Sequence, residues 1–408
     1  MRVRLFCAVM AMFCVFAACN RGGAESGRSL TGAVDPAFVP ENTPASAAAA
    51  LVEAEKLCAQ NRHRDARLVL YNAMLVHGDS AELEHAYEFA IMSDPNLTAM
   101  PVQMIVGEDL TQLKKIGGGS SLVYKFLKDK ETVAAFKPFQ KRYQSNYRAE
   151  VAAYRLCPMI KCGFDVPVNI PVYFDFDDFS RLYARHSKNP QKEFKEIIPT
   201  RRSDGSYVVE GTRKDWVPDF ADFPIEFSDI WTPWLNPGVS REALKTQAVT
   251  LLPEFERRHV SGQKLVSRLE PHLKGLTLYA LARQISNLIV FDFLINNWDR
   301  FSGSAKLYGV NCQISHGRFM SIDNGASFSP SPKEKPEKTL HEITRFSRLT
   351  YEAIKNLDAQ DMYAYLFPNP SQFERAKFEM FQAQRKKYLE YVESCIAANG
   401  ESETFFFE

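Results

Sequence analysis

The stretch "FDFLINNWDRFSGSA", residues 291–305, starts as a buried helix and ends as something else. Phe291, Phe293, Leu294 and Ile295 continue an apolar run from Leu288, and the run breaks at Gly303. Between them stand Asn296, Asn297, Asp299 and Arg300, two amides, a carboxylate and a guanidinium where a hydrophobic segment reaches the surface. Such a helix can serve as a rigid mount for a group at its exit, and Asp299 is the carboxylate that stands there. The amides of Asn296 and Asn297 are expected to satisfy the last carbonyls of the helix. Arg300 is expected to orient a neighbouring carboxylate.

Farther along, "RFMSIDNGASF" reads as a short strand, Phe319 to Ile322, that delivers Asp323 into an Asn-Gly turn. Taken alone, "DNG" suits a type I′ hairpin turn. Beside Asp299 it suits a division of labour, one carboxylate orienting or deprotonating a hydroxyl and the other holding a divalent metal on phosphates. Upstream, "GGGSS" separates two strand patterns, so Gly117, Gly118, Gly119 and Ser120 form either a plain hairpin turn or a cover for phosphates. Lys137 ends the apolar run Val133-Ala134-Ala135-Phe136. A cation at the end of a sandwiched strand needs an anion, whereas one at an edge is simply solvated. Glu150, at the start of the apolar-patterned "YRAEVAAYRL", is that anion unless it pairs elsewhere on the surface.

Together these residues follow the order of a protein-kinase-like phosphotransferase. "AAFKPF", "AEVAAYRL", "VFDFLINNWDR" and "SIDNGASF" closely resemble the atypical kinases of the animal secretory pathway, the Golgi casein kinase and four-jointed group. That family's pattern is roughly FKP, AEIAAF, VFDFL–N–DR and a hydrophobic residue before DNG. "ITRFSRLTYEAIKNL" is similar to its helix after a short activation segment, and the resemblance covers roughly residues 107–370. It implies that Lys137 binds the α/β-phosphates of ATP or another nucleoside triphosphate and pairs with Glu150. It implies a catalytic role for Asp299, Mg²⁺ or Mn²⁺ on Asp323, and a nucleotide cover from Gly117 to Ser121.

The chain departs from the conventional kinase pattern at Ser304, where an Asn makes the second metal contact. Asn297-Trp298 stand for the usual His-Arg, and no Ala-Pro-Glu follows Asp323. The crossing between lobes falls in "YVVEGTRKDWVPDFADFPIEF", residues 207–227, with Glu210 and Gly211 as expected crossover residues and Glu210 at the nucleotide. Trp216, Phe220 and Phe223 either cover adenine and the acceptor or belong to the core.

The expected fold is α+β, a two-lobed atypical protein-kinase-like fold with an N-terminal helical hairpin. Residues 47–100 carry the hairpin, similar to a tetratricopeptide-type pair, with one helix before Asp79 and one after Ser80. Residues 107–240 carry the strands and a crossover insertion, with "LKKI", "LVYKFLKD" and "ETVAAFKPF" as three short strands. Residues 241–397 are helical, over 241–259, 275–298, 347–366 and 370–397. Residues 398–408 are a tail whose "FFF" is expected to pack back on the helices or on a partner.

At the other end, Arg2 and Arg4 precede an apolar stretch, Leu5 to Ala18, too short to span a bilayer comfortably. "VFAAC" then resembles a bacterial lipoprotein signal with Cys19 as the lipidated residue, followed by a tether to residue 46. Asn20 leans towards the outer membrane, on its periplasmic face or the cell surface, by resemblance to the sorting rule of such lipoproteins. The 408 residues are 45% hydrophobic and carry a net charge of +1, which argues against a nucleic-acid partner. Of the eight cysteines, Cys58, Cys157, Cys162, Cys312 and Cys395 remain after Cys19, so one thiol at least stays free within the chain. Cys157 and Cys162 are close enough in sequence for a short-loop disulfide, and no Cys–His spacing reads as a zinc site. Two functions fit, a kinase acting outside the cytoplasm on a hydroxyl of a protein or glycan, and an inactive kinase scaffold that docks partners.

Overall fold

The computed structural model describes residues 44–107, 112–116, 121–186, 190–247, 252–258, 262–301, 309, 311–368, 370 and 372–407. The expected leader, Cys19, the glycine turn from Gly117 to Ser120 and Ser304 lie outside the described residues.

Three helices come first, α1 (Ala47–Ala59), α2 (His63–His77) and α3 (Ala81–Met92). The single helix expected before Asp79 is therefore two, because Asn61 takes a left-handed φ of 58° and turns the chain. Ser46 and Ser80 cap α1 and α3 through the backbone N–H groups of Ala49 and Leu83.

The main sheet is built from β1 (Val102–Gln103), β2 (Gln112–Lys115), β3 (Tyr124–Lys128), β4 (Glu131–Pro138), β5 (Asn169–Asp175), β6 (Thr200–Arg201) and β7 (Tyr207–Asp215). Its order is β1-β5-β7-β4-β3-β2, with β6 also paired to β7. The helix α4 (Tyr147–Met159) follows β4, and α5 (Phe176–His186) and α6 (Pro190–Phe194) follow β5. Glu210 and Gly211 are not crossover residues. They lie inside β7, where Glu210 pairs with Tyr173 of β5 and Gly211 with Val172 of β5 and Pro138 of β4. The pairing of β7 with β4 runs on to Asp215, so the chain leaves the sheet only there.

A second, antiparallel sheet joins β8 (Ala221–Asp222), β9 (Cys312–Ser315) and β10 (Arg318–Ser321) in the order β10-β9-β8. Between β8 and β9 come α7 (Ser228–Trp231), α8 (Arg241–Thr246), α9 (Leu252–Arg258), α10 (Gly262–Leu273) and α11 (Leu278–Leu294). After β10 come α12 (Glu334–Leu340), α13 (Arg348–Lys355), α14 (Ala359–Leu366), α15 (Gln372–Asn399) and α16 (Glu401–Thr404). The expected helices over 241–259 and 347–366 are each interrupted, and α10 was not expected.

Two apolar cores result. One holds β2–β5, β7 and α5, with Phe126, Phe136, Phe174 and Phe179 packed ring on ring at centroid distances of 5.2–5.7 Å. The other holds α1–α4 together with α7–α15. Tyr87 of α3 donates to the Pro158 carbonyl and Asn287 of α11 to that of Cys162, so the first three helices are part of this core. Cys157 and Cys162 form a disulfide, which closes the turn after α4. Cys58, Cys312 and Cys395 are free thiols.

The tail folds back as its phenylalanines require. Phe405, Phe406 and Phe407 are 3%, 4% and 0% exposed. Phe406 lies under the Arg345 guanidinium and beside Tyr279, while Phe407 N–H donates to the Phe346 carbonyl.

Candidate active site

Strand β4 is buried from Ala134 to Pro138, and Lys137 on it is 0% exposed. A primary amine in that position is tolerated only with anions at hand. Its Nζ donates to Glu150 Oε1 at 2.7 Å and to Asp323 Oδ1 at 2.5 Å. Glu150 is itself 0% exposed, in the first turn of α4, a helix started by Asn146 accepting from the Arg148 N–H. Burial alone would lower the Lys137 pKa, yet Asp323 and then Glu150 outweigh it and raise the pKa.

Two partners of Glu150 were not visible in the sequence. Lys214 of β7 reaches Oε1 at 2.8 Å, and the Asn324 backbone N–H donates to Oε2 at 3.0 Å. Lys214 projects from the same face of the sheet as Lys137 because β4 and β7 pair Ala135 with Lys214 and Lys137 with Thr212. Burial, ahead of the attraction of Glu150, keeps the Lys214 pKa lowered. The only signal in the sequence was the alternation within "TRKD", whose meaning depends on which strand it pairs with.

Asp323 follows β10 in a left-handed conformation, φ 53° and ψ 51°, and Asn324–Ala326 form a single 3-10 turn. "DNG" is therefore not the hairpin turn. That role falls to His316 and Gly317, at φ 45° and 78°, between β9 and β10. The Asp323 side chain is 44% exposed, the open member of the group. Desolvation works against its ionised form, but Lys137 and then Lys214 hold its carboxyl far below the ordinary range. Gly325 cannot carry a side chain here without movement, since a Cβ would stand 2.6 Å from Lys137 Nζ.

Asp299 lies just past α11, with its backbone N–H on Asn297 Oδ1 at 3.2 Å and its Oδ2 accepting from Asn311 at 3.1 Å. Arg300 does orient a carboxylate, Asp292 of α11, at 2.9 Å from Nε. It also donates to the Asn311 and Ile322 carbonyls, to Ser321 Oγ and to Asn324 Oδ1. One buried guanidinium thus ties the segment of Asp299 to both neighbours of Asp323. The two amides do not cap the helix as expected. Asn297 donates to Asp292 Oδ1, and Asn296 crosses to the carbonyls of Ser329 and Ser331.

Glu210 is held by the Tyr147 hydroxyl at 2.6 Å and by Arg148 at 3.1 Å, which makes it an anchor for the start of α4. Trp216 lies under Lys125 Nζ, 4.2 Å from the ring centroid, and Phe223 is core, packed on Phe255 and Phe319. The structure therefore brings Lys137, Glu150 and Asp323 into direct contact and leaves Glu210 outside that group.

Chemically, the arrangement offers a fixed cation with one exchangeable partner, which suits an anion such as a phosphate chain. For a divalent ion it offers the half-exposed Asp323 carboxylate, and hard cations on phosphates need only one or two such ligands. No protein-family model matches the chain, and no curated protein does. Among solved structures it is similar to one described as the Golgi casein kinase with Mn and ADP bound, at 13% identity and a TM-score of 0.42, over 82% of this chain and 81% of that one.

Proposed function

We propose that the chain is a metal-dependent kinase with a two-lobed fold, which transfers the γ-phosphoryl group of a nucleoside triphosphate to a hydroxyl of a protein or glycan. One observation carries this reading: Lys137, Glu150 and Asp323, from three separate segments, meet with only Asp323 open to solvent. In that arrangement Glu150 and Lys214 keep Lys137 positioned, and a phosphate oxygen replaces Asp323 on its free side. Mg²⁺ or Mn²⁺, held by Asp323, would supply charge neutralisation along the phosphates. Asp299 accepts the hydrogen bond, and then the proton, of the acceptor hydroxyl as the bond from phosphorus to the diphosphate leaving group breaks. Catalysis of this kind is mostly positioning and electrostatics.

The motifs that resemble the secretory-pathway kinases support the same reading, and the lipoprotein-like leader supports a proposed site of work at the bacterial cell envelope, with Cys19 as the lipid anchor. No described helix is long and apolar enough to cross a membrane. The rival reading, a kinase scaffold that only docks partners, is favoured by the closed Lys137–Asp323 contact of 2.5 Å, which leaves no room for a phosphate until Asp323 moves.

The test is nucleotide binding and ATP turnover by the full-length chain with Mn²⁺ or Mg²⁺, alongside Asp299→Asn and Asp323→Asn. Turnover in the parent is expected to vanish in both variants, with metal-dependent nucleotide binding kept by Asp299→Asn and lost by Asp323→Asn. A parent that binds nucleotide without turnover is the scaffold; Asp323→Asn as active as the parent ends the kinase reading.

A further inference from the structure

A second group of chemically active side chains lies at the other end of the β9–β10 hairpin. Asp219 stands in the segment between β7 and β8, His272 near the end of α10, and His316 in the hairpin turn. Asp219 Oδ1 is 3.5 Å from His272 Nε2, and Oδ2 is 3.3 Å from His316 Nε2. One donor atom from each residue lies within 4.8 Å of the other two. Charge-assisted hydrogen bonds between such groups close to about 2.7–2.9 Å. Donors about 2.1 Å from a shared tetrahedral ion stand about 3.4 Å apart. The observed distances, each to a different oxygen of Asp219, are too long for closed ion pairs, and three donors within 4.8 Å of one another need only a small inward shift to share one ion.

We propose that Asp219, His272 and His316 form a binding site for one divalent ion of the zinc class. Two imidazoles and one carboxylate suit a borderline first-row ion, whereas Mg²⁺ and Ca²⁺ prefer oxygen alone. The surrounding bonds hold the three ligands in place. The Gly317 N–H donates to the His272 carbonyl at 2.7 Å, and Ser315 Oγ donates to the Asp219 carbonyl at 2.7 Å. Arg268 of α10 donates to the Phe220 carbonyl at 3.2 Å. The His272 side chain is 6% exposed, but those of His316 and Asp219 are 32% and 64% exposed and leave a path from solvent. Binding has one local cost: the His316 N–H now points at His272 Nδ1 at 3.3 Å, and that long bond is given up when Nε2 becomes the ligand and the ring proton sits on Nδ1.

This ion is separate from the one expected at Asp323. His316 and Asp323 flank opposite ends of β10, whose four residues alone span about 13 Å. The site instead fastens the segment that leaves the main sheet to α10 and to the turn of the second sheet. An ion there limits how far that segment moves.

The experiment is zinc titration of the full-length, chelator-stripped chain against a competing chromophoric chelator, with thermal unfolding run with and without the metal. The parent is expected to bind one equivalent and to unfold at higher temperature with Zn²⁺ than without. Asp219→Asn and His316→Asn are expected to weaken binding about 100-fold or more and to lose the thermal response. Asn tolerates the left-handed turn position of His316, so that variant folds even where one at buried His272 does not. Asp323→Asn keeps zinc binding, which separates this site from the kinase reading. Zinc bound as tightly by both ligand variants as by the parent is adventitious and overturns the proposal, as does a parent that binds none.

Discussion

Two buried ionic networks meet at the Asp323–Asn324 peptide, and they end differently. Around Arg300 the one charged partner is inside: Asp292 is 1% exposed, Ser321 and Asn324 are buried, and the remaining acceptors are the carbonyls of half-buried Asn311 and Ile322. Around Lys137 the first partner, Glu150, is 0% exposed, but the second, Asp323, is 44% exposed. Burying an ion pair costs desolvation that the attraction barely offsets, so neither network is explained by stability alone. The closed network fixes the shape of the turn. The open one keeps a cation whose outer partner can be exchanged for an anion from solution.

The sharpest way to break that contrast is Arg300→Leu. It strands Asp292, whose carboxyl burial already pushes above its ordinary pKa against the pull of Arg300, inside an apolar helix. Removing one partner of a buried pair costs about 3–5 kcal/mol, so urea unfolding of this variant is expected to show the largest loss. A loss under about 1 kcal/mol, the size of an ordinary surface change, would remove the distinction between the networks.

Lys137→Met tests the other side. Lys214 still neutralises Glu150, and Asp323 can turn to water, so the expected loss is smaller, about 1–2 kcal/mol. Nucleotide turnover, in contrast, is expected to fall about 100-fold or more. If Lys137→Met unfolds more readily than Arg300→Leu, the open network is the structural one and the assignment of roles is inverted.

How far this was legible in the sequence follows from the range of each interaction. Lys137, Glu150, Asp299 and Asp323 stand in short motifs whose residue types already imply burial and charge. The meeting of Lys137, Glu150 and Asp323 could be anticipated from order along the chain. Lys214 could not, because its partner is set by the pairing of β4 with β7, across α4, α5, α6 and the strands β5 and β6. Asp292 sits in plain view as a carboxylate in an apolar run, and its signal was overlooked beside Asp299. Glu210 was misplaced because β7 extends further than the glycine at 211 suggested. There the glycine serves close packing, since a Cβ would stand 2.4 Å from the Phe136 ring. The Asp219–His272–His316 group has no local pattern at all, its members coming from a connecting segment, a helix and a turn.

A third carboxylate lies near the Arg300 network and refines the comparison most gently. Glu226 accepts the Gly309 N–H on both oxygens, at 3.1 and 3.0 Å. Burial pushes its pKa from 4.5 up to about 7, against the opposing pull of that N–H, Lys335 and Arg300. A carboxyl with a raised folded-state pKa favours folding fully below 4.5, and that contribution is lost as pH rises to about 7. Glu226→Gln, which cannot ionise, does not lose it. The melting temperature of the variant relative to the parent is therefore expected to rise by about 3 °C between pH 4.5 and pH 8. An offset that stays constant over that range would mean that Glu226 titrates alike in the folded and unfolded chain, its neighbours offsetting the cost of burial in full.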